Sequence, residues 1–319
     1  MSESSRPGRE ALTGVATGRR KRGEQPVVPD SEFTSYYGKP VINGPVWHSP
    51  DIPGYLFLGG LAGASSLLGA GAHATGRPKL ARAAKTGAFS AVSLSLAALI
   101  HDLGRPARFL NMLRVLKTSS PMNVGSWLLA AYGPLAGASA FSALTGKLPR
   151  IGATATAGSA LLGPGVAAYT AALISDTAVP AWHDGYREMP YVFVGSGATA
   201  AGGLGLLTAP EKECGPARNL ALLGTGVELA AFQSMEKRLG MVAEPYREGK
   251  GGRYIRAGKI LSVAGAAGSL FGGNRVIRRL SGAALVAASA ATRWGIFHAG
   301  KHSADDPRYT VVPQRERMS

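Results

Sequence analysis

The chain has 319 residues, a formal net charge of +16, and charged side chains at only 17% of its positions. Its uncharged runs are long enough to cross the ~30 Å hydrocarbon layer, which takes roughly 20 apolar residues as a helix. These features exclude an ordinary soluble domain. We interpret the positive charge as a product of membrane topology and of contact with anionic lipid, and we expect no nucleic acid as a partner.

The first 52 residues predict a polar, largely disordered N-terminal tail without a domain of its own. Within it, segment 33–52 places Tyr36, Tyr37 and Trp47 among prolines and glycines. Aromatic residues in such a setting suit packing against a partner or the membrane interface. We therefore expect 33–52 to be an interfacial segment that leads into the membrane domain.

The rest of the chain predicts an all-α integral membrane protein with eight transmembrane helices, followed by a polar C-terminal tail over 300–319. Five of the segments are uninterrupted. Of the three later ones, two contain a charge, Glu228 or Arg293, and the third is short. The 44 glycines indicate helices that pack closely within the membrane. The membrane domain is expected over 53–299, with uninterrupted segments at 52–76, 86–101, 118–146, 151–175 and 189–210 and the three later ones at 219–235, 260–274 and 280–299.

An internal repeat relates the first and fifth segments. Residues 55–62 read YLFLGGLA and residues 191–198 read YVFVGSGA, and each run closely follows a proline. Segments four apart cross in the same direction, so the repeat predicts two related four-helix bundles in parallel. Chance matching of Tyr, Phe and Gly at helix starts is the alternative explanation.

The distribution of positive charge predicts the orientation. An even number of spans places both termini on one side, where 24 Lys and Arg fall if Arg293 is counted there, against 11 on the other side. Loops with more Lys and Arg usually stay in the cytoplasm. We therefore expect a multi-pass protein of the cell membrane with cytoplasmic termini.

The residues that commonly bind redox cofactors are few. Iron–sulfur clusters usually need four thiolates, and Cys214 is the single cysteine. All six histidines fall at segment ends or in loops, where a bis-histidine haem is not expected, although a His101–His298 pair stays open. No metal-ligand spacing is present. We thus expect no cluster, no haem and no metal in this chain.

Ionisable residues instead gather on the side of the termini. His101, Asp102 and Arg105 end the second segment, and Asp176 and His183 follow the fourth. A carboxylate can tune a histidine pKa near neutrality, so a His-Asp pair beside an apolar cavity could exchange protons with a quinone. The alternative is a surface loop whose arginines contact lipid phosphates.

The polar connection after the second segment carries cationic and polar side chains. Through them it could dock an acidic redox partner. The predicted docking residues are Arg108, Asn111, Arg114 and Lys117.

Glu228 falls well inside a predicted membrane segment. Charge in the bilayer is costly, so such residues tend to face the bundle interior and to mark proton or substrate paths. Two interpretations stay open for Glu228, a structural hydrogen bond between helices and a proton relay.

Over nearly all of residues 35–300 the chain resembles the NrfD family, also called polysulfide reductase-type membrane subunits. The motifs are residues 36–41 (YYGKPV), 53–63, 101–127 and 175–183 (SDTAVPAWH). The resemblance implies an eight-helix subunit without haem that reacts with a quinone, which we expect to be menaquinone. It also implies an iron–sulfur partner subunit that connects the chain to a molybdopterin oxidoreductase.

Carried over by position, the resemblance implies catalytic residues and residues that bind the quinone. The second group shares three members with the first. The catalytic set is His101, Asp102, Arg105, Asp176 and His183, and the quinone-binding set is His101, Asp102, Asp176 and Trp182.

Many family members work with exported partners, and the charge distribution of this chain does not fit that arrangement. It favours docking in the cytoplasm, and a formate dehydrogenase-like partner is our preferred interpretation, with polysulfide, nitrite or another couple left open. Two other classes are a secondary transporter, which the repeat and a buried acid would suit, and a passive membrane anchor. The ionisable residues on one side argue against an anchor.

Overall fold

The computed structural model describes residues 41–105, 107–271 and 274–318. Residues 1–40 of the predicted tail, which include Tyr36 and Tyr37, lie outside the described residues. The described residues belong to one unit, 41–319.

Eight helices of 20 or more residues make up most of the described chain. The first five, α1 to α5, are long and apolar enough to cross a membrane, which confirms the five uninterrupted segments and a multi-pass membrane protein. The three later helices carry more charge. The helices are α1 (Asp51–Ala74), α2 (Pro78–Asp102), α3 (Pro121–Thr145), α4 (Pro149–Ser175), α5 (Met189–Thr208), α6 (Gly215–Leu239), α7 (Gly249–Leu270) and α8 (Arg275–Asp305).

Proline explains where several of these helices begin. Pro78, Pro121 and Pro149 occupy the first positions of α2, α3 and α4. The first turn of a helix has no internal acceptor for its N–H groups, so a residue without an N–H costs nothing there. At the other end of α3, Gly146 adopts a left-handed conformation (φ 71°) and ends the helix.

Short helices form several of the connections. Ala107–Met112 lies between α2 and α3, Pro180–His183 precedes α5, and Glu244–Arg247 precedes α7. A last helix, Arg308–Met318, follows α8.

The contacts between the long helices form two rings. Helices α1 to α4 each contact the next and α4 returns to α1, and helices α5 to α8 do the same. The rings meet mainly through α1 and α5, the two helices that begin with the repeated sequence. The connections consequently gather at two ends, which we name the A face (around residues 48–51, 101–121, 175–189, 239–249 and 305) and the B face (around 74–78, 145–149, 208–215 and 270–275).

Glycine permits the closest helix contacts, as the composition predicts. A Cβ atom at Gly63 of α1 would lie 2.2 Å from the carbonyl oxygen of Gly163 in α4. A Cβ atom at Gly195 of α5 would lie 2.6 Å from the amide nitrogen of Glu228 in α6. Small residues let membrane helices approach until their backbones touch.

The structure differs from the sequence expectations at both ends of the membrane domain. Helix α8 continues to Asp305, past the predicted boundary at 299, and the predicted polar tail contains a helix whose Tyr309 is buried and bonds to Glu244 (3.2 Å). At the start, Trp47 packs on Trp182 of the same chain with ring centroids 5.6 Å apart. Aromatic surface at both ends is covered by the chain itself.

Candidate functional site

Two His-Asp pairs connect the start of α1 to the end of α2 on the A face. The Nδ1 of His101 lies 2.8 Å from Oδ2 of Asp51. Asp102 Oδ1 accepts a hydrogen bond from the backbone N–H of His48 (3.1 Å) and lies 3.3 Å from its Nδ1.

The predicted pairing of His101 with Asp102 is therefore corrected. Neighbouring residues on a helix point about 100° apart, so His101 and Asp102 reach different partners. The carboxylates are the shielded members, with side chains of Asp51 and Asp102 20% and 10% exposed, whereas the imidazoles of His101 and His48 are 80% and 75% exposed. Each pair thus holds an exposed imidazole against a shielded carboxylate.

Two tyrosines continue this polar site into the first ring of helices. Tyr55 lies one turn after Asp51, on the same side of α1. Its buried hydroxyl is hydrogen-bonded to that of Tyr169 in α4. The sequence singled out Tyr55 only as part of the repeat, although its spacing of four residues from Asp51 is a signal that both belong to one site.

Trp182 holds the connection after α4 in place. It is fully buried, and its indole N–H donates to the carbonyl of Ile296 in α8 (2.8 Å). A Cβ atom at Gly300 would lie 1.9 Å from the indole, so α8 needs a glycine there. Trp182, predicted to contact quinone, has a packing role in the structure.

The other residues predicted on this connection are exposed. Asp176 directly follows α4, and the His183 Nδ1 lies 3.1 Å from the carbonyl oxygen of Ser175. Trp47 and His48 link this region to the His-Asp pairs, because Trp47 stacks on Trp182 while the next residue bonds to Asp102. The structure thus places both predicted groups on the A face, joined through Trp47, which the sequence predicted to be interfacial, and through His48.

The connection between α2 and α3 presents its cations to the outside. Asn123 of α3 anchors it, donating to the carbonyl of Met112 (2.7 Å) and accepting from the N–H of Lys117 (2.6 Å). All predicted docking residues are exposed on this anchored segment, and so is Arg105, together with three large apolar side chains. They are Arg105, Arg108, Asn111, Arg114 and Lys117, with Leu110, Val115 and Leu116.

An apolar cavity of about 400 Å³ lies against this connection. It is lined by α2, α3 and two residues of the connection, Phe109 and Leu113, and Ser93 contributes a hydroxyl group. Leu96 on its wall belongs to the same helix as His101 but precedes it by more than a turn. None of the predicted catalytic residues lines this cavity.

Glu228 is buried within the second ring of helices. Its Oε1 accepts a hydrogen bond from the hydroxyl of Thr292 in α8 (2.7 Å), and its Oε2 has no hydrogen-bond partner among the described residues. The interhelical hydrogen bond considered from the sequence is thus present, and one carboxylate oxygen is left over.

Arg293, which the charge count assigned to the side of the termini, is also buried. Helix α8 continues twelve residues beyond it, so Arg293 lies within the bundle. Its Nη2 donates to the carbonyl of Phe193 in α5 (2.7 Å), and its guanidinium lies 3.6 Å from the centre of the Phe193 ring. Its Nε and Nη1 have no hydrogen-bond partner in the described part of the chain.

The two histidines of the alternative haem pair have different partners. His101 bonds to Asp51, while His298 stacks on Tyr254 with ring centroids 5.7 Å apart. Among the described side chains, no group of three or more His, Cys, Asp or Glu is placed to hold a metal ion.

The family model described as polysulphide reductase, NrfD, matches residues 40–210, which is more than half of the chain. The match spans α1 to α5 with both His-Asp pairs, Asp176 and His183, and it ends before Glu228. It is narrower than the 35–300 over which the sequence motifs suggested a resemblance. No curated protein matches the chain. Because the match covers more than half of its residues, the chain belongs to the NrfD family, and this implies a membrane subunit of polysulfide reductase-like oxidoreductase complexes.

Proposed function

We propose that this chain is the quinone-interacting membrane subunit of a multi-subunit oxidoreductase. It exchanges electrons with an iron–sulfur subunit linked to a molybdopterin catalytic subunit, either formate dehydrogenase-like or polysulfide reductase-like. The observation that carries the proposal is the combination of two His-Asp pairs on the A face with an apolar cavity between α2 and α3, which reaches the connection that follows Asp102. Both lie within the residues that match the family.

The cavity between α2 and α3 fits an apolar ligand. Phe89, Phe109 and Leu129 are among its walls, and ligand pockets are mostly apolar with a few polar groups that fix orientation. A quinone such as menaquinone, when bound, supplies the chemistry of accepting or releasing electrons together with protons. The cavity therefore fits the apolar part of the quinone.

The chain's own residues would handle the protons. His101 is exposed and its Nδ1 faces the Asp51 carboxylate, so His101 can take up a proton at one nitrogen while Asp51 stabilises the resulting imidazolium. His48 and Asp102 offer the same arrangement nearby. Tyr55, one turn further along α1, and its hydrogen-bonded partner Tyr169 would carry protons further inward.

We further propose that all eight long helices cross the cell membrane as two related four-helix bundles, with cytoplasmic termini. The two rings of contacts and the meeting of α1 with α5 support this arrangement. The exposed cations between α2 and α3 then form the cytoplasmic docking surface for the acidic redox partner.

Glu228 is our candidate for a proton relay through the second bundle. Its carboxylate is buried, accepts from Thr292 through Oε1, and has one oxygen without a hydrogen-bond partner among the described residues. Buried ionisable residues of membrane helices commonly mark such paths.

Substitutions at the His-Asp pairs test the proposal in the assembled complex. His101→Ala and Asp102→Asn should each lower quinone-linked turnover by about 10²-fold, the usual size of a general acid–base contribution. Complex yield should stay unchanged, because the His101 imidazole is 80% exposed and an asparagine oxygen can still accept from the backbone N–H of His48. Normal turnover in both variants would move the site to Asp176 and His183.

Charge reversal tests the docking surface separately. Arg108→Glu and Arg114→Glu should reduce the yield of the complex, while the isolated partner still reduces an artificial dye. Unchanged yield in both variants would argue against docking at this connection.

A secondary transporter is the second candidate, favoured by the unpartnered atoms of buried Glu228 and Arg293. Purification in mild detergent distinguishes the two. An iron–sulfur protein that co-purifies with the chain supports the oxidoreductase subunit, and a homodimer alone supports transport.

A further inference from the structure

A second cavity, of about 520 Å³, lies at the B face of the first ring, at the opposite ends of α1 and α2 from the His-Asp pairs. The end of α1, the start of α2, the end of α3 and the start of α4 enclose it. Four basic side chains line it, and none of its lining residues is acidic. The basic residues are His73, Lys79, Arg82 and Lys85.

Lys85 is the unusual member of this group. It is only 7% exposed, and it forms no hydrogen bond or ion pair with a described residue. Its stem packs closely on α1, where a Cβ atom at Gly69 would lie 3.2 Å from the lysine Cγ. Its side chain is largely buried and lines the cavity, and no acidic residue among the cavity lining balances its charge. A charge held in such a place is costly without a partner, so a negative group bound in the cavity would stabilise it.

The surroundings favour an anion as well. Helix α4 begins at Pro149, which lines the cavity, and helix N-termini attract negative charge. Arg82 is held in position by donating from Nη2 to the carbonyl of Leu144 (3.1 Å). Glu213, the carboxylate bonded to the first turn of α2, accepts from the Leu80 amide and does not line the cavity.

We propose that this cavity binds a phosphate group, and that the group belongs to the headgroup of an anionic phospholipid. The cavity lies at the end of helices that are apolar enough to cross the membrane, which is the depth at which lipid phosphates are found. Basic pockets between membrane helices are suited to such headgroups. The site is separate from the A face and does not depend on the proposed function.

Lipid retention tests the site directly. The chain is purified in mild detergent, and its bound phospholipid is counted by native mass spectrometry. Lys85→Met keeps the length of the stem and removes the charge, and Arg82→Gln removes a second cation. Each should reduce retained anionic phospholipid roughly fivefold, whereas Lys147→Gln, a cation of the same face outside the cavity, should not.

A second experiment identifies the source of the phosphate. Delipidated protein is heated with phosphatidylglycerol, with phosphatidylcholine, or with inorganic phosphate. We expect phosphatidylglycerol alone to raise the unfolding temperature, and to do so less in Arg82→Gln. Equal stabilisation by inorganic phosphate would overturn the lipid assignment, and equal lipid retention in wild type, Lys85→Met and Arg82→Gln would overturn the site. If Lys85→Met does not fold, lipid retention by Arg82→Gln alone decides whether the cavity is the site.

Discussion

The Asp51 carboxylate and the His101 imidazole are 50 positions apart in sequence and 2.8 Å apart in space. They meet because α1 and α2 are neighbouring antiparallel helices, so that the first residue of one lies beside the last turn of the other. His48 and Asp102 meet for the same reason. The A face therefore carries two separate His-Asp pairs, each joining a residue at or just before the start of α1 to one at the end of α2.

The pairing predicts coupled effects of mutation. Asp51→Asn should lower quinone-linked turnover as much as His101→Ala does, and the double variant should be no slower than either single one, because both changes break one unit. Turnover of all three variants in the assembled complex is the measurement. His302→Ala, a histidine of the same face that packs near Tyr309, serves as the control. Additive losses would show that Asp51 and His101 act independently.

Glu228→Gln should slow proton movement across the membrane. Glutamine has nearly the same shape and can still accept from Thr292, so the chain should fold, but the carboxyl proton is lost. We expect proton uptake by vesicles containing the complex to fall by about 10²-fold. Glu236→Gln, on the same helix but paired with Lys259 (2.8 Å), is the matched control. Equal proton uptake in wild type and Glu228→Gln would remove Glu228 from the path.

The contact between α1 and α4 predicts sensitivity to side-chain size. Gly63→Val should destabilise the chain by ~1–3 kcal/mol, since the new atoms would overlap the backbone of Gly163. Gly71→Val in the same helix should be tolerated, because a Cβ atom there meets nothing within 4 Å. Unfolding temperatures in detergent compare the two. A similar loss in both variants would contradict this account.

Cys214 should react slowly with thiol reagents in the native state. The side chain is buried, and burial raises the pKa of its thiol above the usual 9.0. The reactive thiolate is therefore scarce at pH 7 to 8, and labelling should accelerate as the pH rises. Maleimide labelling of native protein is compared with labelling after denaturation in SDS. Rapid modification of the native chain at neutral pH would show that Cys214 is accessible.

Reporter fusions test the orientation. A reporter after Ser319 should be cytoplasmic, and one inserted between α1 and α2, within 75–77, should lie on the other side. The expectation rests on the 24 and 11 Lys and Arg assigned to the two sides from the sequence. A reporter outside the cell after Ser319 would move the docking surface to the other side and leave the helices unchanged.

The sequence alone determined the five uninterrupted membrane segments. Length and lack of charge are local properties, so they can be read without knowing what each helix packs against. The later helices were located as well, but their ends were less clear. Charged residues in the first turns of α7 and in the last turns of α8 hid where these two helices begin and end. The family was likewise indicated by local motifs such as 175–183.

Only the tertiary structure decided which side chains work together. The partner of His101 depends on which helix lies beside α2, and the burial of Trp182, Arg293 and Lys85 depends on how the rings of helices close around them. Such contacts join positions tens to hundreds of residues apart, so residue spacing carries no record of them. An exposed loop charge and a buried, unpaired one look the same in a sequence, because the difference between them is made by neighbours that only folding supplies.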